Sequence, residues 1–522
     1  MVAGGRQHEG FELLAGIRQG CPLSPLLFSA AVDILLRRIS RLVPDAVVRA
    51  YADDVGAVLP SGTGSFPALI QIFEEFARIS GLRLSLPKTV IVPLFLQELP
   101  EFAAAVAWNF PAWAGMRTER HAKYLGFVLG PDRGERSFEK PLQKLKTRAE
   151  AWGAAGGGLL LTILAYKVYI LPVVGFLLKL DSLPAAWASA EAAAFRSLVR
   201  GPGAWCVPND LRNLRAFGFP QEFPDAALLS LASRFRVAHL EAKPTGLRGE
   251  QRARELRHWL ANTEHVVRMG TWASWFQRAF AVQLEDAVLH FRRVGITPLA
   301  LENELTGGEQ RPFRQSTAHR VRRRFQGAAL AALPVPPTTC IETRTRHKLE
   351  YWDVPQLPRI RAQRCLQVLG RLSAMVPPRV LAATWRTQWN GWVTFRRFQG
   401  RGGHADRCAF CGPGAQDAIQ HYASCPHVWR FAQSRLGMQR PASWGECLAC
   451  FLLLDMGPNS IDADPLLLAR KTLRTAAVYK VHCMVRHGAI PAGAAAQEAL
   501  QQAVWELVRG HAAANRALGQ WC

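Results

Sequence analysis

Two adjacent carboxylates, Asp53 and Asp54, stand between apolar, β-branched runs, Val47-Val48-Arg49-Ala50-Tyr51-Ala52 before them and Val55-Gly56-Ala57-Val58 after. A segment of this kind reads as a β-hairpin with its acids at the turn, which pushes both carboxylates out of the sheet together. Paired carboxylates suit a hard divalent cation, Mg²⁺ or Mn²⁺, which takes carboxylate oxygens together with substrate phosphates. Two such ions about 3.5 to 4 Å apart clamp both oxygens of an in-line phosphoryl displacement. Taken alone, the same residues also fit a solvated Asp-Asp turn.

The neighbouring stretches have their own physical logic. Gly16-Ile17-Arg18-Gln19-Gly20-Cys21-Pro22-Leu23-Ser24-Pro25 is a Gly/Pro loop in which Ser24 can cap a helix and Pro25 suits its first position. That helix is expected to run to about Arg41, with Leu27, Ala31, Ile34 and Leu35 on one face and Arg37, Arg38 and Arg41 towards its C-terminal end. After a turn at Ser61-Gly62-Thr63-Gly64, Phe66 to Ile79 reads as an amphipathic helix with Leu69, Ile72, Phe73 and Phe76 inward, closed by Gly81. A strand is expected from there to Lys88, within Ser80-Gly81-Leu82-Arg83-Leu84-Ser85-Leu86-Pro87-Lys88-Thr89, and a fourth block, Tyr124-Leu125-Gly126-Phe127-Val128-Leu129-Gly130, follows.

In this order the four blocks resemble consecutive motifs of the reverse transcriptases of non-LTR (LINE-like) retrotransposons. The resemblance implies an RNA-directed DNA polymerase acting on RNA and DNA with deoxynucleoside triphosphates. It makes Asp53 and Asp54 the catalytic Mg²⁺ or Mn²⁺ ligands and puts Gln19, Gly20 and Tyr51 at the nucleotide-binding groove. Lys88 would lie near the incoming triphosphate, where a lysine can protonate the leaving pyrophosphate and stabilise growing negative charge. The Tyr124 block would be the primer-grip hairpin. The implied fold is α+β, a partial polymerase palm of antiparallel strands with helices over residues 1–137, followed by thumb-like helices over 138–200.

Composition agrees with a nucleic-acid partner. Lys and Arg number 64 against 40 Asp and Glu in 522 residues, a formal charge of +24, and so large a basic excess calls for a polyanion. The opening residues lack the apolar run of a secretory signal, so a nuclear or cytoplasmic protein is expected. Leu159 to Leu178 is the nearest approach to a membrane span. With Lys167 inside the run and Pro172 after it, a buried helix pair is the better reading, and no membrane partner is expected. Eleven cysteines at irregular spacing give no disulfide framework.

Downstream, Leu142, Leu145, Ala149 and Trp152 recur at helical spacing among Lys140, Lys144, Lys146 and Arg148, until Gly156-Gly157-Gly158 breaks the run. Residues 201–400 read as a basic helical region. Two stretches in it could pair with phosphates: Arg320 with Arg322, Arg323 and Arg324, and Trp385 to Arg401, where Arg386, Arg396, Arg397 and Arg401 alternate with Trp385, Trp389, Trp392, Phe395 and Phe398. Those rings could stack on bases or belong to a core. The sharpest metal signal is Cys408-x2-Cys411-x9-His421-x3-Cys425, within residues 401–435, which offers the four N/S ligands of a closed structural Zn²⁺ site. His427 is an alternative to His421, but His421 shares a helix face with Cys425. Cys447 and Cys450 read as buried free thiols in a helical tail, residues 436–522, and no endonuclease cluster is visible.

One part of the pattern is missing. The two-metal site of the resembling family takes a third carboxylate from a strand well before the Gly-rich block. Here the acids before Gly16 are Glu9 and Glu12, in surroundings unlike that strand. The expectation is an N-terminally truncated polymerase, inactive as this chain. The alternative is a non-enzymatic, zinc-containing nucleic-acid-binding protein.

Overall fold

The computed structural model describes the chain apart from residues 1, 4–5, 8–21, 95–97, 204, 242–253, 256–257, 259–278, 307–317, 334–337, 353–357, 396–406, 413–414, 456–463 and 512–522. Two compact units emerge, residues 1–137 with 251–282, and residues 138–250 with 283–522.

In the first unit, β1 (Val2–Ala3) pairs with β2 (Arg6–Gln7), and helix α1 (Ser24–Leu42) leads to β3 (Val47–Tyr51) and β4 (Asp54–Val58). Helix α2 (Phe66–Ser80) follows, ended by Gly81 at φ 74°, in the left-handed region that glycine enters without a Cβ penalty. Then come β5 (Val90–Ile91), α3 (Leu99–Asn109), β6 (Arg117–Thr118), β7 (Ala122–Tyr124) and β8 (Phe127–Leu129). The core joins Leu35, Ile39 and Val43 to Phe66, Leu69 and Ile72 of α2, Phe102 and Val106 of α3, and Trp113. Phe66 meets Phe110 and Trp113 edge-on, with centroids 5.2 and 5.0 Å apart. Each such buried side chain contributes about 1.5–3 kcal/mol of transfer free energy.

Three expectations are corrected here. The inward stripe of α1 is Val32, Leu35 and Ile39, whereas Leu27 and Ile34 are exposed, because the core lies on the face that continues into Val43. The stretch before Lys88 is not a strand: Leu86–Lys88 forms one 3-10 turn, closed by backbone bonds from Lys88 and Thr89 to the Ser85 carbonyl. Pro87 removes a ladder donor at that point, and the strand starts only at Val90. Among the described residues the strands do not form one antiparallel sheet but four separate pairs, of which β5 with β6 is parallel.

The second unit is helical among its described residues. Glu139–Ala154 buries Leu145, Ala149 and Gly153 against Trp187–Leu198. The expected helix pair over 159–178 is instead one continuous run, Gly158–Ala165, a π turn at Tyr166–Ile170, and Pro172–Gly175. The π turn explains why Pro172 does not end it: Leu171 N–H bonds the Tyr166 carbonyl at 2.8 Å, a wider ring that absorbs the donor proline lacks. Gly158–Gly175 is long and apolar enough to cross a membrane, and 39% of it is buried inside the unit. Tyr166 is fully buried, its hydroxyl donating to Glu191 at 2.6 Å, while Arg212 pairs with the other oxygen of Glu191. Burial pushes the Glu191 carboxyl up despite these partners.

Glu139–Ala154 approaches Trp187–Leu198 closely because Gly153 has no side chain. A Cβ there would lie 2.1 Å from the Ser197 carbonyl oxygen. Gly153→Ala is therefore expected to cost about 1–3 kcal/mol through overpacking, read as a lower urea midpoint; an unchanged midpoint would refute this contact.

Candidate active site and metal centre

The carboxylate hairpin forms as its sequence pattern requires. Val47 to Tyr51 pairs antiparallel with Val58 to Asp54, so Ala52 and Asp53 make a two-residue loop and Asp54 opens β4 opposite Tyr51. Ala52 sits at φ 49°, a left-handed conformation that costs an L-residue roughly 1–2 kcal/mol. Asp53, Asp54 and Tyr51 are all exposed, and neither carboxylate has an ion-pair partner among the described residues.

A second hairpin holds the first. β7 pairs with β8 through Leu125 and Gly126, at φ 47° and 91°, as a tight two-residue turn demands. Tyr124 ends β7. Its hydroxyl donates to the Arg49 carbonyl at 3.3 Å, and its ring lies where a side chain on Gly56 would go, 3.2 Å from the Cβ position. Arg49 and Gly56 are cross-strand partners, so one tyrosine touches both strands of the carboxylate hairpin. Spacing alone gives no sign of this contact, although Tyr124 opens the Tyr124–Gly130 block.

Lys88 is exposed at the end of its 3-10 turn, and no bond or ion pair joins it to Asp53 or Asp54. Gln19, Gly20, Arg396, Glu9 and Glu12 lie outside the described residues. Arg323 is exposed on the helix Ala318–Ala332; Arg322 belongs to the same helix, its side chain outside the description. Of the two readings of Trp385, Trp389 and Trp392, core, the commoner one at helical spacing, is what the structure shows, and base stacking is not: all three are at most 1% exposed.

The Cys/His motif does converge. The ligand atoms of Cys408, Cys411, His421 and Cys425 lie within 4.8 Å of one another, with Cys411 Sγ 3.4 Å from His421 Nε2 and 3.3 Å from Cys425 Sγ. Ligands about 2.0–2.3 Å from a tetrahedral Zn²⁺ would stand about 3.3–3.8 Å apart, so the donor set and these two separations fit that ion. Among the described residues this is the one group of three or more His, Cys, Asp or Glu side chains close enough to share an ion. His421, not His427, belongs to it. Cys408 opens a knuckle closed by the Gly412 N–H on its carbonyl, with Gly412 at φ 76°. Cys425 stands between the helices Ile419–Ser424 and Pro426–Leu436. A hydrogen bond from Cys408, then those from His421 and the Val428 N–H, pushes the Cys425 thiol down to about 4, while Cys408 is pushed up.

The residues that support this cluster carry no motif of their own. The buried Tyr422 hydroxyl accepts from the Ala409 N–H at 3.2 Å, donates to Asp417 Oδ1 at 2.8 Å and lies 3.2 Å from His482 Nδ1. Burial pushes the His482 imidazole down, towards its neutral form. From beyond His482, Gly493 N–H bonds the Ala409 carbonyl and Gln497 bonds that of Phe410, both at 2.8 Å. The knuckle's backbone is thus held by the helices Pro465–Arg486 and Ala494–Val508. Cys447 and Cys450 are, as expected, buried free thiols in a helix, Trp444–Leu452.

Residues 2–129, which include Asp53, Asp54, Lys88 and Tyr124, match the family model described as reverse transcriptase (RNA-dependent DNA polymerase). No solved structure matches the chain.

If Tyr124 on Gly56 couples the two hairpins, Gly56→Val is expected to separate them at a cost of about 1–3 kcal/mol. Amide hydrogen exchange over residues 47–58 and 122–129 should accelerate together; acceleration confined to 47–58 would disprove the coupling.

Proposed function

We propose that this chain is the polymerase portion of a LINE-like, retrotransposon-type reverse transcriptase, a nuclear or cytoplasmic protein that engages RNA and DNA and takes deoxynucleoside triphosphates. The observation that carries the reading is the pair of exposed carboxylates at the β3–β4 turn, without an ion-pair partner among the described residues and on a hairpin held by Tyr124, inside the stretch that matches the reverse transcriptase family. Asp53 and Asp54 would hold Mg²⁺ or Mn²⁺, which supplies the charge that stabilises an in-line displacement at phosphorus. Tyr51, exposed opposite Asp54, would face the nucleotide, and Lys88 would donate a proton, or a positive charge, to the leaving pyrophosphate.

The described residues bring only two carboxylates to this turn. Two acids from one turn leave two ions under-ligated, so the chain by itself is proposed to bind template-primer without extending it. In primer extension with Mg²⁺ or Mn²⁺ the isolated chain should give no product. Robust synthesis that disappears in Asp53→Ala would overturn the inactivity while supporting the polymerase assignment; binding insensitive to salt would count against both.

The second reading, a non-enzymatic zinc-containing nucleic-acid-binding protein, is favoured by the Cys408–Cys411–His421–Cys425 cluster. Its donor set is that of a structural Zn²⁺ site whose role is to order the fold around it. Elemental analysis should find one zinc per chain, lost in Cys408→Ser. Because metal binding to such a site is folding free energy, a chelator should lower the melting temperature of the wild type and leave the variant unmoved. Equal metal content in both proteins would exclude the site.

A further inference from the structure

A groove of about 620 Å³ opens in the first unit and shares no residue with the carboxylate turn or the Cys/His cluster. Helix α2 lines it together with the segment around Arg83–Leu86 and with Trp113. Its lining is apolar where it meets the core: Ile70, Phe73, Leu84 and Leu86 are half-buried and pack on the cluster to which the buried Trp113 belongs. These are side chains whose remaining surface an occupant would take out of water.

Three charged side chains on the same groove are uncommitted. Arg78, Arg83 and Glu74 are exposed, and none of the three side chains has a hydrogen bond or ion pair among the described residues, although Glu74 stands four residues before Arg78 on α2. Glu75 is committed, one oxygen to Arg38 and the other to Gln71 at 3.1 Å. Two free cations against one free carboxylate leave the groove positive.

The backbone beside them is open as well. Burial alternates along the chain, exposed at Arg83 and Ser85 and half-buried at Leu84 and Leu86, as in a strand with one face inward. Ser85 is extended, at φ −84° and ψ 96°. No partner strand lies alongside: the N–H and C=O groups of Arg83 and Leu84 make no hydrogen bond among the described residues. Open peptide groups beside an apolar groove are where an extended chain adds by main-chain pairing, with alternate side chains entering the groove.

We propose that this groove docks an extended peptide segment of a partner protein in which apolar residues alternate with Asp or Glu. The segment would pair with the backbone at Arg83 and Leu84, seat its apolar side chains on Phe73, Leu84 and Leu86, and set its carboxylates against Arg78 and Arg83. Nucleic acid fits less well, because a phosphate backbone has nothing to place on the apolar lining and is repelled by Glu74.

A fluorescent peptide of Leu-Glu repeats, titrated with the full chain and read by anisotropy, should bind with saturation. The double variant Arg78→Glu, Arg83→Glu should weaken it about tenfold or more, with the melting temperature unmoved because both side chains are exposed and unpaired. A peptide of Ser-Glu repeats carries the same charge and should also bind about tenfold more weakly, as should the Leu-Glu peptide N-methylated on one alternate set of amides. No binding of the Leu-Glu peptide, an affinity unchanged in the double variant, or equal binding of the Ser-Glu peptide would overturn the site. A single-stranded oligonucleotide that displaces the peptide as well as unlabelled peptide does would overturn it too, assigning the groove to nucleic acid.

Discussion

The carboxylate hairpin depends on a missing atom. A two-stranded hairpin is marginal in water by itself, and this one has been given a body on each side. Val48 and Ala46 pack towards the core of α1, α2 and α3, while the opposite face receives Tyr124. A Cβ at position 56 would stand 3.2 Å from the tyrosine ring, close enough to push it back by a few tenths of an ångström. Without it the ring reaches the backbone, and the hydroxyl closes on the carbonyl of Arg49, the residue paired with Gly56. Two strands are thereby fixed by one side chain several residues from the turn. This leaves Asp53 and Asp54 free of structural duty, out in solvent where a cation can reach them.

The Cys/His cluster is built on the opposite plan, with its polar support buried. Tyr422 acts as a hub because a phenol can accept and donate at once: it takes the N–H of Ala409, inside the knuckle, and gives its proton to Asp417. Asp417 also accepts the Phe395 N–H at 2.8 Å, and His482 Nε2 faces the Val393 carbonyl at 3.3 Å. A carboxylate and an imidazole this deep are tolerable only when fully bonded, and once bonded they specify one arrangement of the chain. Partners behind the ligands orient them, so the ligand-bearing turn is held by groups that never touch a metal.

What was legible in the sequence followed from local rules. Apolar, β-branched runs on either side of two acids gave β3 and β4, a glycine gave the end of α2, and the C-x2-C-x9-H-x3-C spacing gave the cluster, with His421 preferred over His427 on helix geometry. What was not legible depends on distant partners. Which face of α1 is buried is decided by where α2 and α3 pack, so Ile34, apolar and within the expected stripe, ended in solvent. Pro172 looked like a stop because its neighbours could not be seen to widen into a π turn. Trp385, Trp389 and Trp392, at a spacing that allows base stacking though it favours core, are fixed in the core by distant partners: Trp205 packs on Trp385, Phe217 on Trp389, and Tyr422 and His482 on Trp392. Tyr422 and His482, sixty residues apart, carry no signature that links them.

The two candidate metal positions differ in what they require from outside. Three cysteines and a histidine can saturate one Zn²⁺, with soft and borderline donors and no position left for water, so such a site is complete from its own side chains. Two carboxylates cannot saturate a hard ion that prefers about six oxygens; water, substrate phosphates or a further acid must supply the rest. If Asp53 and Asp54 hold such an ion, affinity there would be tied to what else is bound, and the ion would be held well only when phosphate oxygens or a third carboxylate arrive with it. An exposed turn with unpaired acids suits that dependence, since a pre-neutralised pair would have nothing to gain from the ion.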